Sequence, residues 1–251
     1  MKRLFVFAYG SLAYMLFLGV FSYMAGFLLG LFVPKAINDP ATLPVAHPAL
    51  AVALNLAAIA LFGVLHSLLA RDWVKAWLIR FLPAAAERST YVVQSSLCLA
   101  LAMWLWQPMT GTIWQVEGPA ALAVYALFAL GAGIVFWSTF LIDHFELFGL
   151  RQIWTHLRGE PMPVPEFRTP ALYRIVRHPM QLGVVILLFA TPHLTSGHLL
   201  FAGSMTLYVF VGLYFEERAL VRTYGARYQA YQASVPMLIP GLRPRAGSSL
   251  G

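Results

Sequence analysis

The sequence predicts an all-α, polytopic integral membrane protein, and three observations carry this prediction. Apolar residue types make up 60% of the 251 residues and charged types 11%, with a mean hydropathy of +0.72, whereas soluble domains carry roughly 25% charged residues. Several apolar runs approach or exceed the roughly 20 residues that a bilayer-spanning helix requires. The Lys and Arg residues are also distributed unevenly among the loops. A single membrane domain over residues 1–251 follows.

Four apolar runs are predicted to be full spans that form a scaffold over residues 4–142. The first run follows a Lys-Arg pair, but it is too long for a signal peptide and lacks a small-residue cleavage site. Between the runs lie a loop of turn formers, a basic and aromatic segment, and a turn bounded by prolines. The predicted spans are Leu4–Val33, Leu50–Ala70, Thr90–Trp106 and Ala120–Ile142.

The C-terminal part, residues 143–251, is predicted to contain a transmembrane helical hairpin over residues 180–217. A polar stretch leads into the apolar run Met180–Thr191. This run would form a helix only about 18 Å long, too short to cross a typical bilayer core alone. Pro192 and Gly197 favour a turn after it, and Leu199–Phe215 is the returning helix. A cytosolic tail follows.

The distribution of positive charge predicts the orientation in the membrane. If the N-terminus is cytosolic, every Lys and Arg except Lys35 falls on the cytosolic side. Such an excess of Lys and Arg in cytosolic loops is the positive-inside pattern. Both termini are therefore expected in the cytosol of a cell with a bacterial-type cytoplasmic membrane. The net charge of +7 then follows from orientation, so no nucleic-acid partner is expected. The sequence predicts no oligomeric state.

Polar side chains stand at both feet of the predicted hairpin. Arg177 and His178 meet Pro179 where the first helix begins, and Glu216 and Glu217 stand where the second helix ends. Groups at the two feet of one hairpin must lie close together. Ionisable clusters of this kind at a membrane are costly and usually functional.

Aromatic residues follow the twin glutamates at helical spacing. Tyr228 and Tyr231 would share a helical face with Glu217, although Gly225 is a candidate helix break. One interpretation is the wall of a ligand site, since carboxylates accept hydrogen bonds from ribose hydroxyls or attract a cationic ligand. The other is an interfacial amphipathic helix with an aromatic belt. The pattern alone leaves both open.

Residues 173–240 resemble the C-terminal signature of the isoprenylcysteine carboxyl methyltransferase superfamily. The matching positions are Arg177, His178, Pro179, Gly183, Glu216, Glu217, Leu220, Tyr224, Gly225, Tyr228, Tyr231, Val235 and Pro236. Gln181 departs from the pattern, because the wider family commonly has an aromatic residue there. The resemblance implies that S-adenosylmethionine binds at the cytosolic membrane face without a Rossmann fold. The cofactor-binding residues it implies are Arg177, His178, Gln181, Glu216, Glu217, Tyr228 and Tyr231.

Upstream segments narrow the resemblance to one branch. Residues 66–71, 87–91 and 143–152 look like segments of the methanethiol S-methyltransferase branch, with NnrU-type membrane proteins close by. The resemblance implies transfer of a methyl group from S-adenosylmethionine to methanethiol, which gives dimethyl sulfide and S-adenosylhomocysteine. The expected partners are therefore a small-molecule thiol and the membrane lipid.

Methyl transfer to sulfur needs an in-line thiolate, and a base or a cation near the sulfur would help to form it. The candidate catalytic residues on the cytosolic side are His144, Tyr91, Asp143, His66 and Arg151. Each has a structural alternative: an interfacial histidine with satisfied hydrogen bonds, a tyrosine anchored at the headgroups, or an arginine bound to lipid phosphate. An Asp next to a His is not automatically a dyad, because neighbouring side chains of a helix diverge.

Three alternative functions stay open at this stage. The acceptor could be another small or lipidic molecule of the isoprenylcysteine kind. The protein could be a non-catalytic membrane factor of NnrU type. His66 and His144 could also ligate a haem or a metal, although that would leave the twin glutamates without a role. No P-loop, metal-type cysteine cluster or GxGxxG motif occurs, and no metal is predicted.

Overall fold

The computed structural model describes residues 1–162 and 167–242, which are mostly helical. The helices are α1 (Lys2–Leu29), α2 (Pro48–Leu69), α3 (Asp72–Leu78), α4 (Glu87–Leu105), α5 (Gly118–Ile142), α6 (His144–Leu147), α7 (Leu150–Arg158), α8 (Pro179–Phe189), α9 (Ser196–Tyr224) and α10 (Ala226–Ser234). Two short strands, β1 (Thr112–Gln115) and β2 (His193–Thr195), accompany them. The predicted helical class is confirmed, and the strands are an addition that hydropathy did not predict.

Four of the described helices are long and apolar enough to cross a membrane: α1, α2, α5 and α9. Three of them match predicted spans. The predicted third span does form α4, but this helix lies outside the group of four. Its first half is rich in Ser, Thr and Gln, and Ser89 and Ser96 are buried. Because α4 packs against both α1 and α2, its polar side chains lie among helices.

Helix α9 is longer than the returning helix that the sequence predicts. It continues past the twin glutamates to Tyr224 and ends where Gly225 adopts a positive φ of 55°. Glycine accepts this conformation without the steric cost that a Cβ would add. The predicted face of evenly spaced residues is therefore divided between α9 and α10. The transmembrane hairpin and the division of the chain at residue 143 stay predictions.

The chain forms two compact units. The first, unit 1, comprises Met1–Val116, His144–Val164 and Pro192–Met205. In it α1 contacts α4 and α7, and the buried side chains of Val6, Ala86 and Ile153 form a core where these elements meet. Strands β1 and β2 pair antiparallel.

Lys35, the one positive residue expected on the outer side, is buried in unit 1. Its Nζ donates hydrogen bonds to the carbonyls of Trp104 and Trp106, where α4 ends. A cation is favourable at a helix C-terminus, which carries partial negative charge. Burial lowers the pKa of Lys35, and Asp39 acts in the opposite direction. Lys35, the exception to the positive-inside pattern, thus caps the C-terminal end of α4.

Unit 2 comprises Glu117–Asp143, Pro165–Thr191 and Thr206–Gly251. Its main packing is α5 against α8, through two facing glycines. A Cβ added at Gly183 would lie 2.7 Å from the carbonyl oxygen of Gly131 and 2.9 Å from Val135. Small residues allow this close approach of helix backbones, as is common between membrane helices. The approach positions the N-terminal end of α8, where the candidate site begins.

Substituting Gly183→Ala should destabilise the protein by about 1–3 kcal/mol, the usual cost of overpacking, because the nearest obstacle is backbone. Gly133→Ala on α5 is the matched control, since nothing lies within 4 Å of a Cβ there. Thermal unfolding in detergent should show a lower midpoint for the first variant only. Equal midpoints would contradict the close packing.

Candidate functional site

The carboxylate of Glu217 is the centre of a hydrogen-bonded cluster in unit 2. Its Oε1 accepts from Arg177 Nε at 3.0 Å, from His178 Nε2 at 2.6 Å and from the Tyr228 hydroxyl at 2.7 Å. Its Oε2 accepts from Arg177 Nη2 at 3.0 Å and from the amide of Gln232. The sequence-predicted residues Arg177, His178, Glu217 and Tyr228 therefore meet in space. Two carboxylate oxygens offer about four lone-pair sites, so this carboxylate is saturated.

The backbone before α8 holds the donors in place. His178 is the N-terminal capping residue of α8 and is followed by Pro179 at the first helical position, where proline needs no backbone partner. The backbone N–H groups of Arg177 and His178 donate to the carbonyls of Pro236 and Met237. This stretch is thus tied to the segment that follows α10.

Arg177 completes the tie with its side chain. While Nε and Nη2 form a bidentate pair with Glu217, Nη1 donates to the carbonyls of Gln232 and Val235. The side chains of Arg177 and Glu217 are only 10% and 12% exposed. A buried ion pair is tolerated when further hydrogen bonds satisfy both partners, as they do here. The guanidinium therefore has a structural role in closing the end of α10 onto α9.

Tyrosines surround the cluster and remain protonated donors. Burial, together with the neighbouring Glu217, raises the pKa of Tyr228. Burial also raises the pKa of Tyr231 to about 12, and its hydroxyl donates to the carbonyl of Tyr173. Burial raises the pKa of Tyr173 as well, and the nearby Glu216 carboxylate raises it further. Phe167 packs against the rings of both Tyr228 and Tyr231.

Glu216 differs from its neighbour in its hydrogen bonds. Its side chain makes no hydrogen bond or salt bridge to another residue in ranges 1–162 and 167–242, although it interacts electrostatically with His178 and Glu217, and the residue is exposed. Successive residues of a helix point about 100° apart, so Glu217 enters the hydrogen-bonded cluster while Glu216 lies beside it. Gln181, in the first turn of α8, is half-buried. These two side chains are available to a ligand.

In unit 1 the candidate catalytic residues form two separate contacts. His66 is bonded at both ring nitrogens, with Nδ1 2.9 Å from Ser95 Oγ and Nε2 2.6 Å from the Tyr91 hydroxyl. The Arg88 guanidinium lies 4.9 Å from the centroid of the Tyr91 ring. His144 is 3% exposed, and its Nε2 lies 2.7 Å from the Tyr14 hydroxyl.

The two remaining candidates are half-buried. Asp143 belongs to unit 2 and follows α5, whereas Arg151 belongs to unit 1 and lies in α7. Arg151 lines an open pocket of about 310 Å³ between α1 and the α6–α7 segment. The other lining residues are Phe7, Ser11, Phe145, Leu150 and Trp154. An apolar pocket with a single guanidinium could accept a small apolar molecule.

The haem or metal alternative finds no support in the geometry of the histidines. Ligation through either nitrogen of His66 would break an existing hydrogen bond, and Nε2 of His144 already faces Tyr14. Within the part of the chain that the structure describes, no group of three or more His, Cys, Asp or Glu side chains could hold a metal ion.

Several members of these networks escaped the sequence reasoning. Gln232 lies one helical turn beyond Tyr228 on α10, and that spacing was the available signal. Tyr14 and Ser95 lie far in sequence from the histidines they contact. Phe167 carries no local signal, because its contacts with α10 depend on the fold of the segment before α8.

Comparisons with known proteins place the chain among methyltransferases. The family described as "Phospholipid methyltransferase" matches residues 120–227. The chain is 44% identical to "Methanethiol S-methyltransferase" of Mycobacterium tuberculosis, over 96% of this chain and 98% of that protein. It is 45% identical to "Methanethiol S-methyltransferase 1" of Bradyrhizobium diazoefficiens, over 94% of this chain and 82% of that protein.

More distant similarity extends to a protein of another name. "Nurim" of Sus scrofa is 30% identical over 63% of each chain. No solved structure gives a significant match.

Glu217, whose carboxylate is saturated with hydrogen bonds, and Glu216 should respond differently to loss of charge. Glu217→Gln should destabilise the protein by about 3 kcal/mol or more, because it leaves the Arg177 guanidinium without its buried counter-charge. Glu216→Gln, the matched control on the same helix, should change stability by less than about 0.5 kcal/mol. Thermal unfolding of the ligand-free protein in detergent measures both. Equal destabilisation would contradict the contacts described.

Proposed function

The chain belongs to the methanethiol S-methyltransferase family, and on that premise we propose that it transfers the methyl group of S-adenosylmethionine to methanethiol. The products would be dimethyl sulfide and S-adenosylhomocysteine. The observation that carries the proposal is the sequence identity of 44% to 45%, over nearly the whole chain, with two proteins of that name. The cluster around Glu217 supports the proposal, because it brings together residues of the C-terminal signature for which the resemblance implies cofactor binding.

The residues around the cluster fit an S-adenosylmethionine site. Glu216 and Gln181 are the side chains with free hydrogen-bonding capacity, and a carboxylate suits either ribose hydroxyls or an ammonium group. His178 is held through Nε2, which leaves Nδ1 for the adenine or carboxylate end. Arg177, Glu217, Tyr228 and Tyr231 are instead bonded to one another or to backbone. We assign these four a positioning role.

S-adenosylmethionine would supply a methyl group on a positively charged sulfur, and the protein must supply orientation and a place for the thiol proton. We assign the role of proton acceptor to His144, which is almost fully buried beside the Tyr14 hydroxyl. Tyr14 would fix the ring of His144. An apolar surrounding would exclude water from the thiolate and suits an apolar thiol.

The distribution of charged side chains supports a site open to the cytosol. Charged side chains gather near the ends of the membrane-spanning helices on the side that the charge distribution marks as cytosolic. S-adenosylmethionine is a charged, water-soluble molecule and would reach the site from that side. Methanethiol is small and apolar enough to arrive through the membrane or beside it.

The proposal is tested by incubating the purified protein with S-adenosylmethionine and methanethiol and measuring dimethyl sulfide in the headspace. We expect enzyme-dependent dimethyl sulfide in amounts equal to S-adenosylhomocysteine. The family match over residues 120–227 makes a phospholipid the acceptor to test in parallel. Methylated lipid without dimethyl sulfide would refute the thiol, and the absence of any product would favour a non-catalytic membrane factor.

Glu216→Gln should weaken S-adenosylhomocysteine binding by roughly tenfold or more, the loss of a hydrogen bond to a charged group. Its stability without ligand should match that of the unmodified protein. Isothermal titration calorimetry measures the affinity. An unchanged affinity would remove Glu216 from the cofactor site without bearing on the acceptor.

His144→Ala should lower kcat by about 100-fold, the lower range for a lost general base, while S-adenosylhomocysteine affinity stays within about twofold. His47→Ala is the control, since His47 is exposed and precedes α2. Steady-state rates and calorimetry on the same preparations separate the two effects. A lost affinity for S-adenosylhomocysteine with a retained kcat would contradict the catalytic role of His144 and indicate a role in cofactor binding.

A further inference from the structure

A second open pocket, of about 420 Å³, lies in unit 2 and is basic. It is lined by Phe167, Arg168, Thr169, Pro170, Arg174 and Arg227. Three of these six residues are arginines, and all three are exposed. None of the described residues that line it is acidic. Positive charge is therefore concentrated on one small, concave surface, which attracts anions.

Two of the guanidiniums are held at the pocket by one hydrogen bond each. Arg227 lies 5.1 Å from the centroid of the Phe167 ring, and its Nη2 donates to the Phe167 carbonyl at 3.3 Å. Arg174 donates through Nε to the Thr169 carbonyl at 3.4 Å. Each hydrogen bond uses one N–H of a guanidinium that has five. The orientation of each fork is therefore restrained while most of its donors stay available.

From this geometry we propose that the pocket binds a phosphate group, supplied by the headgroup of an anionic phospholipid. Planar guanidiniums match phosphate oxygens in a bidentate manner, and the Thr169 hydroxyl adds a further donor. Arg227 lies three positions after the end of α9, a helix apolar and long enough to span the membrane. A basic pocket at the end of a membrane helix lies at the depth of lipid phosphates.

This lipid would be a bound ligand and not the methyl acceptor. None of the lining residues belongs to the set proposed for the cofactor, so the inference does not depend on the proposed function. A structural consequence follows from Phe167, whose ring also contacts Tyr224, Tyr228 and Tyr231. A headgroup held by Arg174 and Arg227 would stabilise the segment that packs on the tyrosines around Glu217.

The test is a titration of fluorescent phosphatidylglycerol into the purified full-length protein in neutral detergent. Each arginine near an anionic surface is worth roughly a fivefold change in affinity, so the double variant Arg174→Gln/Arg227→Gln should bind roughly 25-fold more weakly. Arg222→Gln is the matched control, because this exposed arginine of α9 does not line the pocket. Phosphatidylcholine should bind the unmodified protein far more weakly than phosphatidylglycerol.

Equal affinity of the double variant and of Arg222→Gln would overturn the proposal, as would equal binding of phosphatidylglycerol and phosphatidylcholine. Inorganic phosphate and glycerol phosphate are the competing probes. Displacement of the lipid by either probe at micromolar concentration would contradict the proposal that the bound phosphate group comes from a membrane lipid. If the double variant does not fold, the single variant Arg174→Gln replaces it, with a roughly fivefold loss expected.

Discussion

The buried charge of Glu217 is the constraint on which unit 2 depends. A carboxylate inside a membrane-spanning helix is costly unless it is paired and hydrogen-bonded. Here five hydrogen bonds come from two places in the chain: the stretch before α8 and helix α10. Because neither segment is adjacent to Glu217 in sequence, the charge can be accommodated only when both have folded around it.

A consequence is a division of roles between two adjacent residues of the same type. Twin glutamates that faced each other would repel, and one would have to take up a proton. The helix turns about 100° between them, so Glu217 meets its donors while Glu216 forms no hydrogen bond or salt bridge to another described residue. One carboxylate thus organises the cluster, and the other is the one that we propose binds the cofactor. Arginine is suited to the organising role, because its planar fork forms a bidentate pair and still reaches two backbone carbonyls.

The sequence was informative where one physical effect dominates and less so where several compete. Hydropathy predicted the helices that became α1, α2 and α5, because apolar length alone decides whether a segment can span a bilayer. Gly225 was recognised as a break, since few other residues accept its backbone conformation. The span predicted over α4 is a helix but is not among the four long apolar helices. Its polar residues Ser89 and Ser96 are buried by packing against other helices, which hydropathy does not register.

The site was predictable only in part for a similar reason. Arg177, His178, Glu217 and Tyr228 were grouped from their spacing, and they do meet. Their roles were not predictable, because saturation of Glu217 depends on the amide of Gln232, and the position of Arg177 depends on the carbonyls of Gln232 and Val235. The cap formed by Lys35 and the basic pocket at Arg227 also rest on tertiary contacts. Spacing identifies which residues lie near each other, whereas hydrogen-bond capacity decides which of them remain free.

The most direct measurement for the central claim is an experimental structure of the protein with S-adenosylhomocysteine bound. The account predicts that the ligand contacts Glu216 and Gln181, while Glu217 keeps its bonds to Arg177, His178 and Tyr228. A structure in which Glu217 leaves these partners to bind the ribose or the ammonium group, with Glu216 away from the ligand, would contradict it.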